Sequence, residues 1–213
     1  MEKKILMNEI SESINECRAC PLYETRKEAV PGEGSLDADI MFVGEGPGAE
    51  EDRTGRPFVG AAGKLLDKLL ATIGLKRQDV YIGNIVKCRP PNNRVPSPRE
   101  VEACLPYLYG QIAIIEPIVI VTLGNTPLNT LVSPELKIGA VHGKMIVKDD
   151  FDFFPMYHPA AALYHNDLLS ILESDFLKLG EVVAEFKSNV SLNNSIGNNP
   201  VRDTSFYKGL KTS

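Results

Sequence analysis

Apolar residues recur at near-helical spacing from the start of the chain: Ile5, Leu6, Ile10 and Ile14 predict an amphipathic helix over 5–16 that runs into Cys17. A loop containing proline and glycine follows, from Pro21 to Gly34. Asp39 to Val43 is then a short apolar run that empties into Gly44-Glu45-Gly46-Pro47-Gly48, the pattern of a buried strand feeding a glycine-rich loop. A helix is predicted from Gly60 to Ile73, with Gly74 as its stop, and Val80 to Val86 predicts a second strand. Ser97-Pro98-Arg99-Glu100 supplies an N-cap, a first-turn proline and a capping-box glutamate for a helix to about Ile115, with Cys104 inside it.

Ile118 to Leu123 predicts a third strand and Thr126 to Leu131 a short helix. Lys144 to Lys148 and Phe153 to Tyr157, split by Asp149-Asp150, predict a hairpin or a pair of edge strands. A last helix is predicted from Asp167 to Lys187. Beyond it the chain turns polar and asparagine-rich, so 1–187 reads as one domain and 188–213 as a flexible tail. Strands alternating with helices imply an α/β fold with a mainly parallel sheet, in which ligands bind beyond the carboxyl ends of the strands. The Gly44 loop, Asn84 and His158 all fall at such ends.

A net charge of −5 argues against a protein that coats nucleic acid through bulk charge, but local phosphate contacts depend on the local field, so DNA binding stays open. No run of about 18 apolar residues exists to span a membrane, and the start Met1-Glu2-Lys3-Lys4 lacks the apolar region of an export signal. The expected location is the cytoplasm, in association with the nucleoid, and the chain is expected to be a monomer. The Gly44 to Gly48 loop lacks the pattern of a nucleotide-triphosphatase loop, which excludes that class.

In such a compartment the four cysteines read as metal ligands or catalytic groups rather than disulfides. Cys17-x2-Cys20-Pro21 lies near the N-terminus, with Cys88 and Cys104 in the middle of the chain. Four thiolates suit either a tetrahedral zinc or an iron–sulfur cluster, and spacing alone does not separate the two. A redox pair plus two buried thiols is the plainer alternative.

Several motifs then agree in order. Gly44 to Asp52, continued by Thr54-Gly55-Arg56-Pro57-Phe58-Val59-Gly60, resembles the thermophile-type (family 4) uracil-DNA glycosylases, as do Asn84-Ile85-Val86-Lys87-Cys88-Arg89-Pro90-Pro91, His158-Pro159-Ala160 and the cysteine spacing. The match extends from about Cys17 to Tyr164. The resemblance implies a three-layer α/β/α sandwich, with a 4Fe-4S cluster on Cys17, Cys20, Cys88 and Cys104. It also implies excision of uracil from DNA to leave an abasic site.

It further implies a uracil pocket of Glu45, Gly46, Pro47, Phe58, Asn84 and His158. An aromatic ring grips the face of an extruded base, the part assigned to Phe58. The Asn84 amide donates to uracil O4 and accepts from N3–H, a pattern that cytosine reverses. His158 supplies a donor where negative charge develops near uracil O2. Glu45 and Glu51 resemble the family's functional acids, either of which positions water, orients the base or crowds out thymine's methyl group. Glu51 also belongs to an acidic run, Glu50-Glu51-Asp52, of the kind usually found in a solvated loop or at a helix start.

Arg56, Lys87 and Arg89 are expected phosphate contacts. Leu163 or Tyr164 is the expected wedge in the vacated base stack, with Tyr164 standing where many family members carry Arg. No lysine belongs to the expected pocket, so a monofunctional hydrolase is expected rather than a Schiff-base lyase. The alternatives are a glycosylase of broader range on deaminated bases, or a non-catalytic iron–sulfur DNA-binding module. Asp203 to Tyr207 in the tail suggests a weak docking segment for a partner such as a sliding clamp.

Overall fold

The computed structural model of the chain describes residues 1–196. Its elements, in chain order, are α1 (Glu2–Glu16), β1 (Glu33–Gly34), β2 (Ile40–Gly44), α2 (Ala49–Thr54), α3 (Ala61–Thr72), β3 (Tyr81–Asn84), α4 (Pro98–Ile115), β4 (Val119–Leu123), α5 (Asn125–Leu131), α6 (Ile138–Val141), β5 (Ile146–Lys148), β6 (Phe151–Met156), α7 (Pro159–Ala162) and α8 (Asn166–Ile196). Short 3-10 turns cover Pro21–Glu24, Arg77–Asp79 and Pro91–Asn93.

The strands form one six-stranded sheet in the order β1-β3-β2-β4-β6-β5. The four central strands are parallel, and the short outer strands β1 and β5 run antiparallel to their neighbours. All five residues of β2 and of β4 are buried, as expected of strands covered on both faces. The pleat sorts the side chains. Met41, Val43, Tyr81, Ile120 and Phe153 pack with Met7 of α1, Leu108 and Ile112 of α4 and Leu128 of α5. Ile40, Phe42, Ile82, Val121 and Phe154 pack on the other face with Leu66 and Leu70 of α3 and Leu172, Phe176 and Leu179 of α8. The result is the expected three-layer α/β/α sandwich, with helices on both faces of the sheet.

The chain passes from β2 outward to β3, then crosses back over β2 to β4. Between β2 and β4 the connections diverge, and the carboxyl ends of these strands open a crevice there.

Several boundaries differ from the sequence reading. In α1 the buried residues are Met7 and Ile14, whereas Ile5 and Leu6 face solvent. A four-residue spacing drifts around a helix by about 40° per step, so it does not hold one face. The face is chosen by α4, where a Cβ at Gly110 would lie 2.9 Å from Ile10 Cδ1. The hairpin expectation holds for β5 and β6, joined through Asp149 and Asp150 at φ 49° and 65°, but only β5 is an edge. Two consecutive left-handed residues are what a tight two-residue hairpin turn demands.

The last helix continues past Lys187 to Ile196, into the segment expected to be a tail. Extending an established helix costs little per residue, so a polar sequence can follow a docked one in the same helix. The rest of the expected tail, including Asp203 to Tyr207, lies outside the described residues. Among the described residues no helix is long and apolar enough to cross a membrane.

The start of α4 is built as its sequence predicts. The Ser97 hydroxyl accepts from the Glu100 N–H at 3.4 Å, and Glu100 Oε2 accepts from the Ser97 N–H at 2.7 Å. Arg94 adds two hydrogen bonds to the same buried carboxylate, at 2.8 and 2.6 Å, and holds it down to about 2. A carboxyl whose folded value lies below its unfolded one contributes stability above the unfolded value and loses it as pH falls toward the folded one. Glu100→Gln should therefore lower unfolding free energy by roughly 1.5–3 kcal/mol at neutral pH, the range for hydrogen bonds to a charged group. Urea unfolding at a series of pH values should find the gap between wild type and variant closing as pH falls through 4.5 toward 2.

Candidate active site

The carboxyl ends of all four parallel strands deliver residues to one cavity of about 590 Å³. Its lining includes Glu45, Gly46, Pro47 and Glu51 after β2, Phe58 from the following loop, Asn84 at the end of β3, Thr126 after β4 and His158 after β6. Six residues proposed from sequence for the base pocket thus come together, and Glu51 with them.

Register explains the juxtaposition. Gly44 pairs with Asn84 across β2 and β3, and the ladder continues past both strands as the Ile85 N–H donates to the Gly44 carbonyl and the Val86 N–H to the Glu45 carbonyl. Glu45 and Asn84 are thereby fixed side by side at the cavity floor. Leu123 pairs with Met156, and the Gly124 N–H donates to the Met156 carbonyl, which sets the Thr126 and His158 segments together. A Cβ at Gly46 would lie 2.7 Å from Val86 Cγ2, so only glycine lets this loop lie against the β3 extension.

Asn84 is 2% exposed, and its Oδ1 is a buried acceptor without a hydrogen-bond partner. Thr122 Oγ1 is the other such atom among the described residues, but only Asn84 lines the cavity. A buried unpaired amide oxygen costs about 1–3 kcal/mol, which a donor entering the cavity would recover.

Phe58 adopts a left-handed backbone, φ 50°, unusual for a bulky residue. The surroundings enforce it. Arg77 donates to the Phe58 carbonyl at 3.0 Å and also to the Pro57 carbonyl. Glu51 Oε1 accepts from the Val59 and Gly60 N–H groups at 2.8 and 2.9 Å, and its Oε2 accepts from the Gly48 N–H at 3.1 Å. The Phe58 ring stacks against the His158 imidazole, with centroids 5.4 Å apart and planes 26° from parallel.

These contacts divide the two acids. Both oxygens of Glu51 are taken up by backbone N–H groups of the loops that carry Phe58 and Gly48. The acidic run is no solvated cluster either, since buried Asp52 accepts from the Lys27 N–H at 3.0 Å. The run is a helix start, one of the two readings its composition allowed; what the sequence did not show is that α2 turns Glu51 and Asp52 inward. Glu45 accepts a hydrogen bond on Oε2 from the Thr126 hydroxyl. Thr126 was also missed; its one signal was its place just past a strand end.

His158 caps α7: its Nδ1 accepts from the Ala160 N–H at 3.1 Å. With Nδ1 an acceptor, the neutral ring carries its proton on Nε2 and is a donor there. Burial lowers its value to about 4, opposed by the nearby charge of Glu51.

The expected DNA contacts fare unevenly. Leu163 and Tyr164, at the end of α7, are 42% and 83% exposed. Arg56 is exposed but paired with Glu33 at 2.6 and 2.9 Å, and Arg89 holds Asn93 Oδ1 at 2.8 Å. Lys87 is a correction: it is 1% exposed, with Nζ donating to the Asn84 carbonyl at 3.0 Å and to Gln111 Oε1 at 2.7 Å. Its side chain follows the buried β3 extension into the interior, so it does not reach a phosphate.

Farther along that extension, Cys88 joins Cys17, Cys20 and Cys104 in lining one small cavity. They arrive from the end of α1, the turn after it, the β3 extension and α4. Arg26 donates to Cys88 Sγ at 3.2 Å. Burial raises the Cys20, Cys88 and Cys104 thiols, the last to about 11, so binding a metal there must displace protons. Among the described residues no three histidine, cysteine or acidic groups converge on a site for a single ion.

Residues 31–180 match the model of the uracil DNA glycosylase superfamily. The chain is similar to the type-4 uracil-DNA glycosylase of Sulfurisphaera tokodaii, 50% identical over 83% of this chain and 84% of that one. Similar proteins of the same description occur in Archaeoglobus fulgidus, 47% identical over 83% and 92%, and in Thermotoga maritima, 49% identical over 81% and 92%.

The His158 geometry has a direct spectroscopic consequence. An imidazole lowered from 6.5 to about 4 should stay neutral, with its proton on Nε2, as pH falls from 8 to 5. Nitrogen-15 chemical shifts of the His158 ring across that range should remain those of one neutral tautomer, while a solvent-exposed histidine titrates near 6.5.

Proposed function

Since the chain belongs to the uracil DNA glycosylase superfamily, we propose that its strand-end cavity accepts a uracil turned out of DNA and hydrolyses the N-glycosidic bond. The products are free uracil and an abasic site. The observation that carries this reading is Asn84 Oδ1, buried and without a partner where the cavity begins. Uracil N3–H is the donor it lacks, and the amide NH2 then meets uracil O4. Cytosine would set its N3 lone pair against Oδ1, leaving both unsatisfied.

Phe58 provides the ring on which the base stacks. As the bond between C1′ and N1 lengthens, its electron pair passes into the uracil ring and negative charge gathers at O2. The neutral His158 donates from Nε2 to that oxygen, and a donor already placed in a water-poor site needs no reorganisation as the charge appears. Glu45 faces the sugar side in this reading: its carboxylate, oriented by Thr126, stabilises the cationic sugar and orients the water whose oxygen bonds to C1′. Glu51 is a positioning residue that ties the Gly48 and Phe58 loops together. Gly46 and Pro47 bring their backbone against the base. Leu163 and Tyr164 fill the vacated stack, and Arg89 meets the phosphate backbone, whereas Arg56 braces the Phe58 loop through Glu33.

The four cysteines fit a 4Fe-4S cluster. They are an all-sulfur donor set around one cavity, with Arg26 already donating to Cys88 Sγ. Such a cluster would tie the N-terminal helix to the β3 extension and α4.

Release of uracil from a defined uracil-containing duplex, beside hypoxanthine and ethenocytosine duplexes, tests the reaction. The expected product resists strand cleavage until alkali is added. A covalent adduct trapped by borohydride would remove the hydrolase mechanism, and binding without release would leave a DNA-binding module.

Asn84→Asp should reduce kcat/KM on uracil by roughly a hundredfold or more, because an ionised carboxylate loses the donor to O4. Thr126→Val keeps the volume but removes the hydroxyl that orients Glu45. Its kcat on uracil-DNA should fall about tenfold, the scale of one hydrogen bond to a charged group. Steady-state excision kinetics check both.

A further inference from the structure

The network beneath the cavity holds a cation with no anion. Lys87 Nζ donates to the Asn84 carbonyl and to Gln111 Oε1, and Gln111 Nε2 donates in turn to the Pro31 carbonyl at 2.8 Å and to the Tyr81 hydroxyl at 3.1 Å. The Tyr81 hydroxyl then rests against Met7 Sδ at 3.6 Å. Every one of these partners is neutral. Among the described residues no acid forms an ion pair with Lys87, which is 1% exposed. Burying an ammonium with only dipoles around it costs several kcal/mol, and proteins keep such a charge where an opposite charge faces it.

Lys87 is among the residues that line the cavity of Cys17, Cys20, Cys88 and Cys104, it precedes Cys88 in the chain, and its ammonium lies within electrostatic reach of Cys104. Four thiolates on a cluster leave a net negative charge in that cavity. From the cation to the base pocket there is one further step, because Nζ also holds the carbonyl of the residue whose amide faces the cavity.

We propose that Lys87 is the buried counter-charge of the four-cysteine cluster and, through the Asn84 carbonyl, a positioning residue for base recognition. This rests on the reading of the cysteines as a cluster site. The cluster holds the ammonium in the interior, and the ammonium holds the strand end from which the Asn84 amide projects. The cluster thereby supports recognition of uracil without touching DNA or taking part in the bond cleavage.

The experiment uses the cluster-loaded protein and begins with iron, acid-labile sulfide and the visible spectrum of the wild type. Absence of iron and sulfide there would overturn the cluster reading and the proposal with it. Where the cluster is present, Lys87→Met should move its reduction potential to a more negative value, since loss of a neighbouring positive charge favours the oxidised, less negative state. The same variant should raise KM for uracil-DNA roughly tenfold, with a smaller change in kcat. Gln111→Glu, which sets a carboxylate against the ammonium at the place of the present amide oxygen, should shift the potential in the same direction. It decides the point if Lys87→Met fails to hold a cluster. A potential unchanged from wild type in the loaded variants, or an unchanged KM in loaded Lys87→Met, overturns the proposal.

Discussion

A side chain at position 44 has nowhere to go. A Cβ there would stand 2.4 Å from Asn84 Oδ1 and 2.8 Å from Phe58 Cζ, closer than real Cβ contacts come. The space that glycine leaves empty is where the Asn84 amide and the Phe58 ring meet. Because Gly44 is also the last residue of β2, paired with Asn84, the sheet itself delivers the two groups to that spot. The remaining apparatus keeps them there: Glu51 and Arg77 hold the Phe58 loop in a backbone conformation it would not choose alone, and Gly63 lets α3 approach it. A Cβ on Gly63 would fall 1.7 Å from the Phe58 carbonyl oxygen. Strain at Phe58 is local, and its restraint is spread over several elements.

Features set by short-range pattern were legible in the chain. The continuous apolar runs of β2 and β4 mark doubly covered strands, and Ser97 to Glu100 announces the start of α4. The glycine-rich loop after β2 marks the mouth of the site. Less legible was anything whose meaning depends on a partner far along the chain. Glu50 to Asp52 has the composition of a solvated cluster, yet Asp52 is drawn inside by the Lys27 N–H and Glu51 by the Gly48, Val59 and Gly60 N–H groups. Lys87 reads as a surface cation because lysine generally is one, and only the β3 extension packed against α4 makes it a core residue. Thr126 carries no periodic or motif signal at all; its importance lies in facing Glu45 across two strands.

The strand-end cavity and the one lined by sulfur share a single stretch of backbone from Asn84 to Cys88, Asn84 lining the first and Lys87 and Cys88 the second. Beyond Asn84 that stretch is no longer strand by hydrogen-bond pattern, but it is buried throughout and tied at the Ile85 and Val86 N–H groups and at the Lys87 carbonyl. A segment so short and so fixed has little freedom to move one end without the other. The N-terminal helix lends no residue to the strand-end cavity, but it reaches the sulfur-lined one at Ile14 and Cys17 and meets β3 through the contact of Met7 with Tyr81.

At its two margins the sheet ends in strands of two and three residues, β1 and β5, each antiparallel to its neighbour. Longer unpaired edges would offer rows of free N–H and carbonyl groups on which another chain could add a strand. Here the ladder stops almost as soon as it reaches the margin, with glycine at the end of one edge strand and Lys148 at the end of the other. A parallel sheet forms from contacts distant in sequence and exposes its strands while it assembles. Brief, charge-flanked margins therefore protect the folding intermediate as much as the finished protein, limiting edge-to-edge aggregation before the helices have covered the faces.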